Sequence, residues 1–485
     1  MALHSHRPPP LAAAATAATV VAASVIGAVL AFAGVLGLGA IVALAYAPLV
    51  LINLSVAICL WVPVIFFEGL PGATNVPEAG VLLIIVGWIA VLRQNRRIGA
   101  ILRAHRRVLL VMLAFFAWTL ITTIWAAEPA NGVKIMPSYL EAGLIYVIVL
   151  TALASTQRVR LLALCFVFGV AASVMLGFLG GQTALGGALY EEGRLNGGMV
   201  DPNYLAVAIV AALALIGGLL PSIRTLPARW MMSTTLIVVL LVGLAATASR
   251  GGFVAAAAAV LAALCLQSRR RLQVFGFLCA GLAIAGVWFA SHPAAFERVT
   301  TDKYGGSGRT DLWQLAWREV QDHPITGVGS GNFAAAAGPY LREPGVLTGV
   351  KFIEGGAEAH NVYLSLLAET GIIGLLLYLV VPLAGVRAAV VAGHRFEASG
   401  EYAAASLARG AATACIGVLT AGIFLSDAAD KRLWVLYALG PALLAASTIP
   451  NLAPTARDSA GFRPATARGQ QLSEPRPSSS SRART

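Results

Sequence analysis

Residues 203–220 read NYLAVAIVAALALIGGLL, without one charged side chain. A helix needs about 20 apolar residues to cross the hydrocarbon core of a bilayer, so this stretch predicts a transmembrane helix. The apolar stretch 11–68 is too long for one span, and three short spans fit it best. Other segments of the same character are 79–93, 107–126, 137–154, 161–181, 231–248, 252–267, 273–290, 361–386, 409–426 and 432–448.

The composition is not that of a soluble protein. Of the 485 residues, 58% are hydrophobic and 12% are charged, and the mean hydropathy is +0.80. A soluble domain carries roughly 25% charged residues. The net charge of +12 does not indicate a nucleic-acid partner, because a membrane protein concentrates Lys and Arg in its cytoplasmic loops. We therefore expect membrane lipids, and no nucleic acid, around this chain.

The cysteines indicate neither a metal site nor a redox site. All of them lie inside apolar runs and lack metal-ligand spacing: Cys59, Cys165, Cys265, Cys279 and Cys415. We interpret them as small buried hydrophobic residues, and we expect no metal ion and no cofactor.

Arginine clusters recur at every second loop of the predicted bundle. Because each cluster lies two spans after the previous one, all of them lie on one face, which the positive-inside rule makes cytoplasmic. The alternate loops are then extracytoplasmic, and the largest of them is 291–360. The clusters are Arg96, Arg97, Arg103, Arg106 and Arg107; Arg158 and Arg160; Arg224 and Arg229; Arg269, Arg270 and Arg271; and Arg387, Arg395 and Arg409.

These patterns predict an all-α fold, a polytopic bundle of about 12–14 transmembrane helices in the cell inner (plasma) membrane. The tail is rich in Ser, Pro and Arg and has too few large apolar residues to fold. The predicted order is a cytoplasmic N-terminus over 1–10, transmembrane helices over 11–290, a large periplasmic or extracytoplasmic loop with short helices over 291–360, transmembrane helices over 361–450, and a disordered cytoplasmic tail over 451–485.

Some basic residues map to the extracytoplasmic face, where the positive-inside rule disfavours them. The informative ones are Arg194, Arg250, Arg309 and the pair Lys431-Arg432. A single one of them is read most simply as an anchor near a helix end. Several together suit a lipid-linked diphosphate, because the planar guanidinium binds phosphate oxygens bidentately.

His360 lies where the large loop turns into the next predicted helix. The positive end of that helix and nearby arginines both disfavour imidazolium and keep the ring neutral, as a general base requires. A helix cap, or a hydrogen bond to a carbonyl, is the alternative interpretation. Glu358 is a candidate to orient the imidazole.

Two further pieces combine helix-start and loop character. Asp201-Pro202-Asn203 begins a predicted span and fits a helix cap, with a ligand contact as an equal alternative. Asn332 lies in the glycine-rich run 323–333, which predicts a loop.

The order of these sequence motifs, together with the predicted topology, resembles that of the O-antigen ligase and polymerase superfamily over about 194–440. The resemblance implies a metal-independent, inverting transfer of a glycan from undecaprenyl diphosphate to an acceptor hydroxyl, on a lipid A core or a similar glycolipid. The motifs that carry it are Arg194…Asp201-Pro202-Asn203, Ser249-Arg250-Gly251, Gly308-Arg309…Trp313, His323-Pro324…Gly327-Val328-Gly329…Asn332-Phe333 and Ala359-His360-Asn361…Glu369-Thr370-Gly371…Gly374.

The resemblance also implies roles for individual residues. His360 corresponds to the base, and Arg250 and Arg309 to the groups that hold the diphosphate. Arg194 and Arg432 join them as diphosphate-binding candidates. The supporting candidates are Asn203, Asn332, Glu358 and Asn361.

Two alternatives stay open at this stage. A polymerase of the same superfamily would extend a lipid-linked glycan instead of modifying a lipid A core, and no motif here encodes the acceptor. A transporter or flippase is a different class. A transport path usually needs charged residues inside the spans, and transporters often contain an internal repeat. The spans of this sequence contain few central charges and show no repeat, which disfavours a transporter.

Overall fold

The computed structural model describes residues 45–92, 96–180, 190–191, 193–222, 227–267, 270–301, 309–342 and 358–448. The predicted all-α bundle is confirmed. The only strands among these residues are β1 (Tyr190–Glu191) and β2 (Arg194–Leu195), which pair antiparallel. The predicted termini, 1–10 and 451–485, lie outside the described residues.

Ten helices with defined bounds precede the large loop in the described part of the chain, after a helical stretch over 45–52. They are α1 (Leu54–Trp61), α2 (Val76–Leu92), α3 (Arg96–Ala104), α4 (Arg106–Ile121), α5 (Pro129–Ala152), α6 (Thr156–Phe178), α7 (Pro202–Leu219), α8 (Pro227–Ala246), α9 (Arg250–Leu266) and α10 (Arg271–Ser291).

Short helices occupy the described part of the large loop, and three long helices follow it. The loop helices are α11 (Pro293–Thr300), α12 (Arg309–Asp322) and α13 (Phe333–Ala336), and the later helices are α14 (Val362–Ala398), α15 (Tyr402–Ala421) and α16 (Lys431–Thr448).

Seven helices among the described residues are long and apolar enough to cross a membrane, so the chain is a multi-pass membrane protein. Three shorter apolar helices accompany them, over Leu54–Phe66, Trp230–Ala246 and Arg250–Leu266. The total of about 12–14 spans stays a prediction, because 11–44 lies outside the described residues. The seven are Arg106–Ile124, Pro129–Ala152, Thr156–Phe178, Pro202–Ser222, Arg271–Ser291, Val362–Ala398 and Tyr402–Phe424.

Glycines allow the central helices to pack closely. A side chain at Gly410 of α15 would meet the Cα of Gly218 on α7 at 2.8 Å. A side chain at Gly385 of α14 would meet the carbonyl oxygen of Tyr437 on α16 at 2.6 Å. Since lipid tails are as apolar as leucine, helices in a membrane associate through such close backbone contacts.

The element bounds differ from the predicted ones where helices extend beyond the bilayer. The predicted loop 94–107 contains α3, α5 begins at Pro129 instead of 137, and α14 continues to Ala398 instead of ending at 386. A hydropathy window detects the apolar part of a helix and misses its polar first or last turns.

Helix α14 is broken at Gly371, where the glycine-rich loop docks. Gly371 has φ 65°, a left-handed conformation that glycine adopts without steric cost. The loop supplies the hydrogen bonds that the break interrupts. Ile372 N donates to Pro324 O at 3.0 Å, Val328 N donates to Ala368 O at 2.9 Å, and Gly329 N donates to Glu369 O at 2.8 Å. The glycine motif is thus a backbone joint between the large loop and α14.

Candidate active site

Helix α12 places Arg309 near the start of α14. Its apolar side, with Leu315 and Val320, is buried in a cluster that includes Ala359. Trp313 lies one turn after Arg309, and its indole Nε1 donates to Ala359 O at 2.9 Å. Because residues i and i+4 share one helix face, this bond places Arg309 beside the residue that follows Ala359.

That residue is His360, which has a left-handed backbone with φ 46°. Such a conformation is uncommon for a residue with a side chain and often marks a functional site. Asn361 fixes it from the next position, since its side chain accepts from Tyr363 N and Leu364 N, both at 3.1 Å. Asn361 is therefore the N-cap of α14, and its capping bonds hold the backbone next to His360.

Ser426 holds the imidazole from the loop before α16. Its Oγ lies 2.8 Å from Nδ1 of His360. Burial, followed by the positive charge of Arg309, lowers the pKa of His360 below its usual value of 6.5, and the charges of Glu358 and Asp201 oppose this effect. His360 is therefore neutral at neutral pH and can accept a proton.

Arg309 is the centre of a charged cluster at this end of the bundle. Burial lowers the pKa of its guanidinium, Asp201 opposes the shift, and Arg250 and Arg298 lower the pKa further. Electrostatic interactions thus link Arg309 with both Arg250 and His360. Arg309 has no hydrogen-bond or ion-pair partner among the described residues.

Arg250 is the first residue of α9, behind the N-cap Ser249. Its guanidinium donates to the backbone carbonyls of Arg298, at 2.7 Å, and Thr301, at 2.6 Å. It thereby ties α9 to α11 at the edge of the large loop. A ligand that uses Arg250 must share or replace these bonds.

Arg194 and Asn203 belong to a network below Arg250. Arg194 donates to Thr247 O at 2.9 Å and to Asn203 Oδ1 at 3.0 Å. Ser249 donates to the same Oδ1 at 2.7 Å. The network fixes the entrance of α9, so both residues act on the site through its backbone.

Arg432 has its charge balanced by carboxylates. It bonds to Asp430 at 2.7 Å and to Glu68 at 2.6 Å, and it lies over the ring of Tyr204 at 5.3 Å. Lys431 joins the same cluster through Glu78 at 2.5 Å. This arrangement connects the loop before α2 with the start of α16.

Asn332 and Glu358 lie on different sides of the large loop. Asn332 is fully buried, and it exchanges hydrogen bonds with the backbone of Glu128 at 2.8 and 3.1 Å. It fastens the glycine-rich loop to the start of α5. Glu358 is exposed and acts on His360 through its charge, whereas the hydrogen bond to the imidazole comes from Ser426.

Residues 235–379 match the family model described as O-antigen ligase. The match contains Arg250, Arg309, His360 and the loop that docks at Gly371. Over this segment the chain is similar to the O-antigen ligase family. No curated protein matches the chain closely enough to add a second comparison.

The O-antigen ligase segment excludes several residues that complete the site. Ser426 and Asp201 lie outside it, and sequence reasoning gave Ser426 no role. The only sequence signal for Ser426 was its position at the end of the predicted span 409–426, one residue before the extracytoplasmic loop 427–431. Asp427 is a neighbour of the same kind, and burial raises the pKa of its carboxyl to about 6.

Proposed function

We propose that the chain transfers a glycan from a lipid-linked diphosphate, of the undecaprenyl diphosphate type, to an acceptor hydroxyl. The observation that carries the proposal is the neutral His360 beside Arg309 at one end of the bundle. The family match over 235–379 supports a lipid-linked glycan and an acceptor as substrates. The lipid A core of a ligase is the acceptor class we favour.

The reaction needs a base for the acceptor and positive charge for the departing group. The acceptor oxygen attacks the anomeric carbon, the bond from that carbon to the diphosphate oxygen breaks, and the electron pair leaves with the diphosphate. Attack from the opposite side inverts the anomeric configuration. Arg309, assisted by Arg250, would bind the diphosphate oxygens as their charge develops.

His360 would receive the acceptor proton at Nε2. In the tautomer in which Nδ1–H donates to Ser426 Oγ, Nε2 has a lone pair available. The left-handed backbone and the Asn361 cap hold the ring in one orientation. General-base catalysis typically contributes roughly 10²–10⁴-fold to the rate.

The test is a transfer assay with purified protein, an undecaprenyl-diphosphate glycan and a lipid A core acceptor. His360→Ala should lose activity by roughly 10²–10⁴-fold and still bind the donor lipid. His394→Ala removes an exposed histidine from the far end of α14 and should leave transfer intact. Near-normal turnover by His360→Ala would exclude the proposed base.

The same assay identifies the acceptor and the role of metal ions. A chelator should leave transfer unchanged, because the arginines supply the positive charge. Extension of a lipid-linked glycan without modification of lipid A core would assign the chain to the polymerases.

A further inference from the structure

A polar cavity lies far from His360 in the described structure. Its volume is about 510 Å³, and α14 reaches it through Ala384, Arg387 and Arg395. Since α14 begins beside His360, a rise of 1.5 Å per residue places Arg387 roughly 37 Å along the helix. The cavity therefore lies about one bilayer thickness from the candidate active site.

Basic side chains line this cavity, which we call the arginine cavity, and its lining contains no Asp or Glu. Among the described residues, none of the side chains of its five arginines has a hydrogen-bond or ion-pair partner. A carboxylate on the same face, Glu397, pairs with Arg409 instead. The basic residues are Arg103, Arg106, Arg107, Arg387 and Arg395, together with His105.

The rest of the cavity lining is apolar apart from one hydroxyl. Tyr146 is fully buried, and its hydroxyl has no hydrogen-bond partner among the described residues. Since a buried hydroxyl normally finds a partner, this one points to an absent ligand. The apolar residues that line the cavity are Val108, Ala384, Ala388, Val391, Pro441 and Leu444.

We propose that the arginine cavity binds phosphate groups, and that these belong to an anionic phospholipid of the adjacent leaflet. Guanidinium groups bind phosphate oxygens through paired hydrogen bonds. The apolar lining accepts the glycerol and the first methylenes of a lipid better than it accepts a soluble anion. Basic pockets between transmembrane helices are a recognised form of lipid headgroup site.

The segment that follows α16 is not a suitable internal anion. The segment 449–485 contains six arginines against Asp458 and Glu474. Its net charge is positive, so its docking in the arginine cavity would add repulsion.

The test uses the purified full-length protein in a neutral detergent, titrated with cardiolipin, phosphatidylethanolamine or inorganic pyrophosphate. Native mass spectrometry counts the bound lipid, and the melting temperature reports its effect on stability. Cardiolipin should bind and raise the melting temperature, whereas phosphatidylethanolamine should do neither. The double variant Arg387→Gln/Arg395→Gln should bind cardiolipin roughly tenfold more weakly or worse.

A matched control removes two positive charges outside the cavity, by Arg160→Gln/Arg271→Gln, and should keep wild-type binding. Tyr146→Phe tests the floor of the cavity and should weaken binding without unfolding the bundle, as the lipid-free melting temperature will verify. Equal losses in the two double variants would reduce the effect to general surface charge and overturn the site. Binding of pyrophosphate without binding of cardiolipin would overturn the lipid assignment.

Discussion

The guanidinium groups of Arg309 and Arg250 differ in the number of hydrogen bonds that they already make within the protein. Arg309 has no hydrogen-bond partner among the described residues, whereas Arg250 donates to the carbonyls of Arg298 and Thr301. A charge-assisted hydrogen bond contributes about 1.5–3 kcal/mol. Arg309→Ala should therefore lower kcat/KM for the donor by roughly 10- to 100-fold with little change in melting temperature, and Arg309→Lys should restore part of the loss, because lysine lacks the fork.

Arg250→Ala should lower both kcat/KM and the melting temperature, because it also releases the contact between α9 and α11. Steady-state kinetics against donor concentration, with thermal unfolding of each variant, separate the two cases. A large drop in the stability of Arg309→Ala would show that Arg309 is a structural residue.

The pKa of His360 predicts the acid side of the pH profile. Because burial and Arg309 lower this pKa below 6.5, kcat/KM should rise as the pH increases through a value below 6.5 and then reach a plateau. Asp427 titrates in the same region, near 6. If His360 is the base, Asp427→Asn should retain the rising limb, and loss of that limb in Asp427→Asn would transfer the titration to the carboxyl.

The sequence made Arg309 a candidate because arginine is disfavoured on that face of a membrane protein, and His360 a candidate because it lies at a helix start. It could not identify Ser426, since serine is common in loops and the contact joins residues 66 positions apart. It also could not separate Arg309 from Arg432. Both are outward arginines, but Arg432 pairs with Asp430 and Glu68, and only the fold brings those carboxylates together.

Helix α12 contains a buried carboxyl at Glu319, which has no hydrogen-bond partner for either oxygen among the described residues. Burial, and then the charge of Glu369, raises its pKa from 4.5 to about 9. The folded state therefore holds more protons than the unfolded state between these values, so stability falls as the pH rises from about 4.5 to 9.

Glu319→Gln should remove this pH dependence. We expect a higher melting temperature than wild type at pH 8 and a difference near zero at pH 5. Glu401→Gln, at an exposed position, should show the same small difference from wild type at both values. An equal effect of Glu319→Gln at pH 5 and pH 8 would show that Glu319 is ionised in the folded protein.

The joint at Gly371 should tolerate no side chain. Alanine there would be forced to a positive φ, and its Cβ would collide with Ile325 O. A left-handed backbone alone costs roughly 1–2 kcal/mol in a residue other than glycine. Gly371→Ala should lower the melting temperature and uncouple the large loop, which limited proteolysis will detect. Gly276→Ala in α10, with open space around its Cβ, should be close to neutral, and equal behaviour of the two variants would contradict the joint.

At the scale of elements, composition was sufficient to predict the spanning helices but not the joint between the large loop and α14. Apolar runs predicted the spanning parts of α5 and α14 because burial in lipid demands them. The glycine-rich run predicted a loop but not its docking site. Its bonds go to the backbone of Ala368, Glu369 and Ile372, and backbone groups leave no signature in side-chain identity.

The topology of the whole molecule is predicted from the one-sided arginines and can be measured directly. In a cysteine-free background, Ser399→Cys lies between α14 and α15 and should react with a membrane-impermeant maleimide only in broken cells. Ala130→Cys, at the start of α5, should react in intact cells. Both positions are exposed, so the pair isolates sidedness from accessibility, and the reverse pattern would place His360 in the cytoplasm.

The ion cluster of Lys431 and Arg432 imposes an order on biogenesis. Glu68 and Glu78 are synthesised early, and their cations follow more than 350 positions later, with separations of 353 and 364. The first helices must therefore remain in the bilayer with unmatched acids until α16 emerges. The loop before α16 also delivers Ser426 to His360. Under the proposed mechanism, a nascent chain that stops short of this loop carries His360 and the arginines but lacks the Ser426 contact and should be inactive. Insertion of the last helix would then both close the bundle and complete the proposed site.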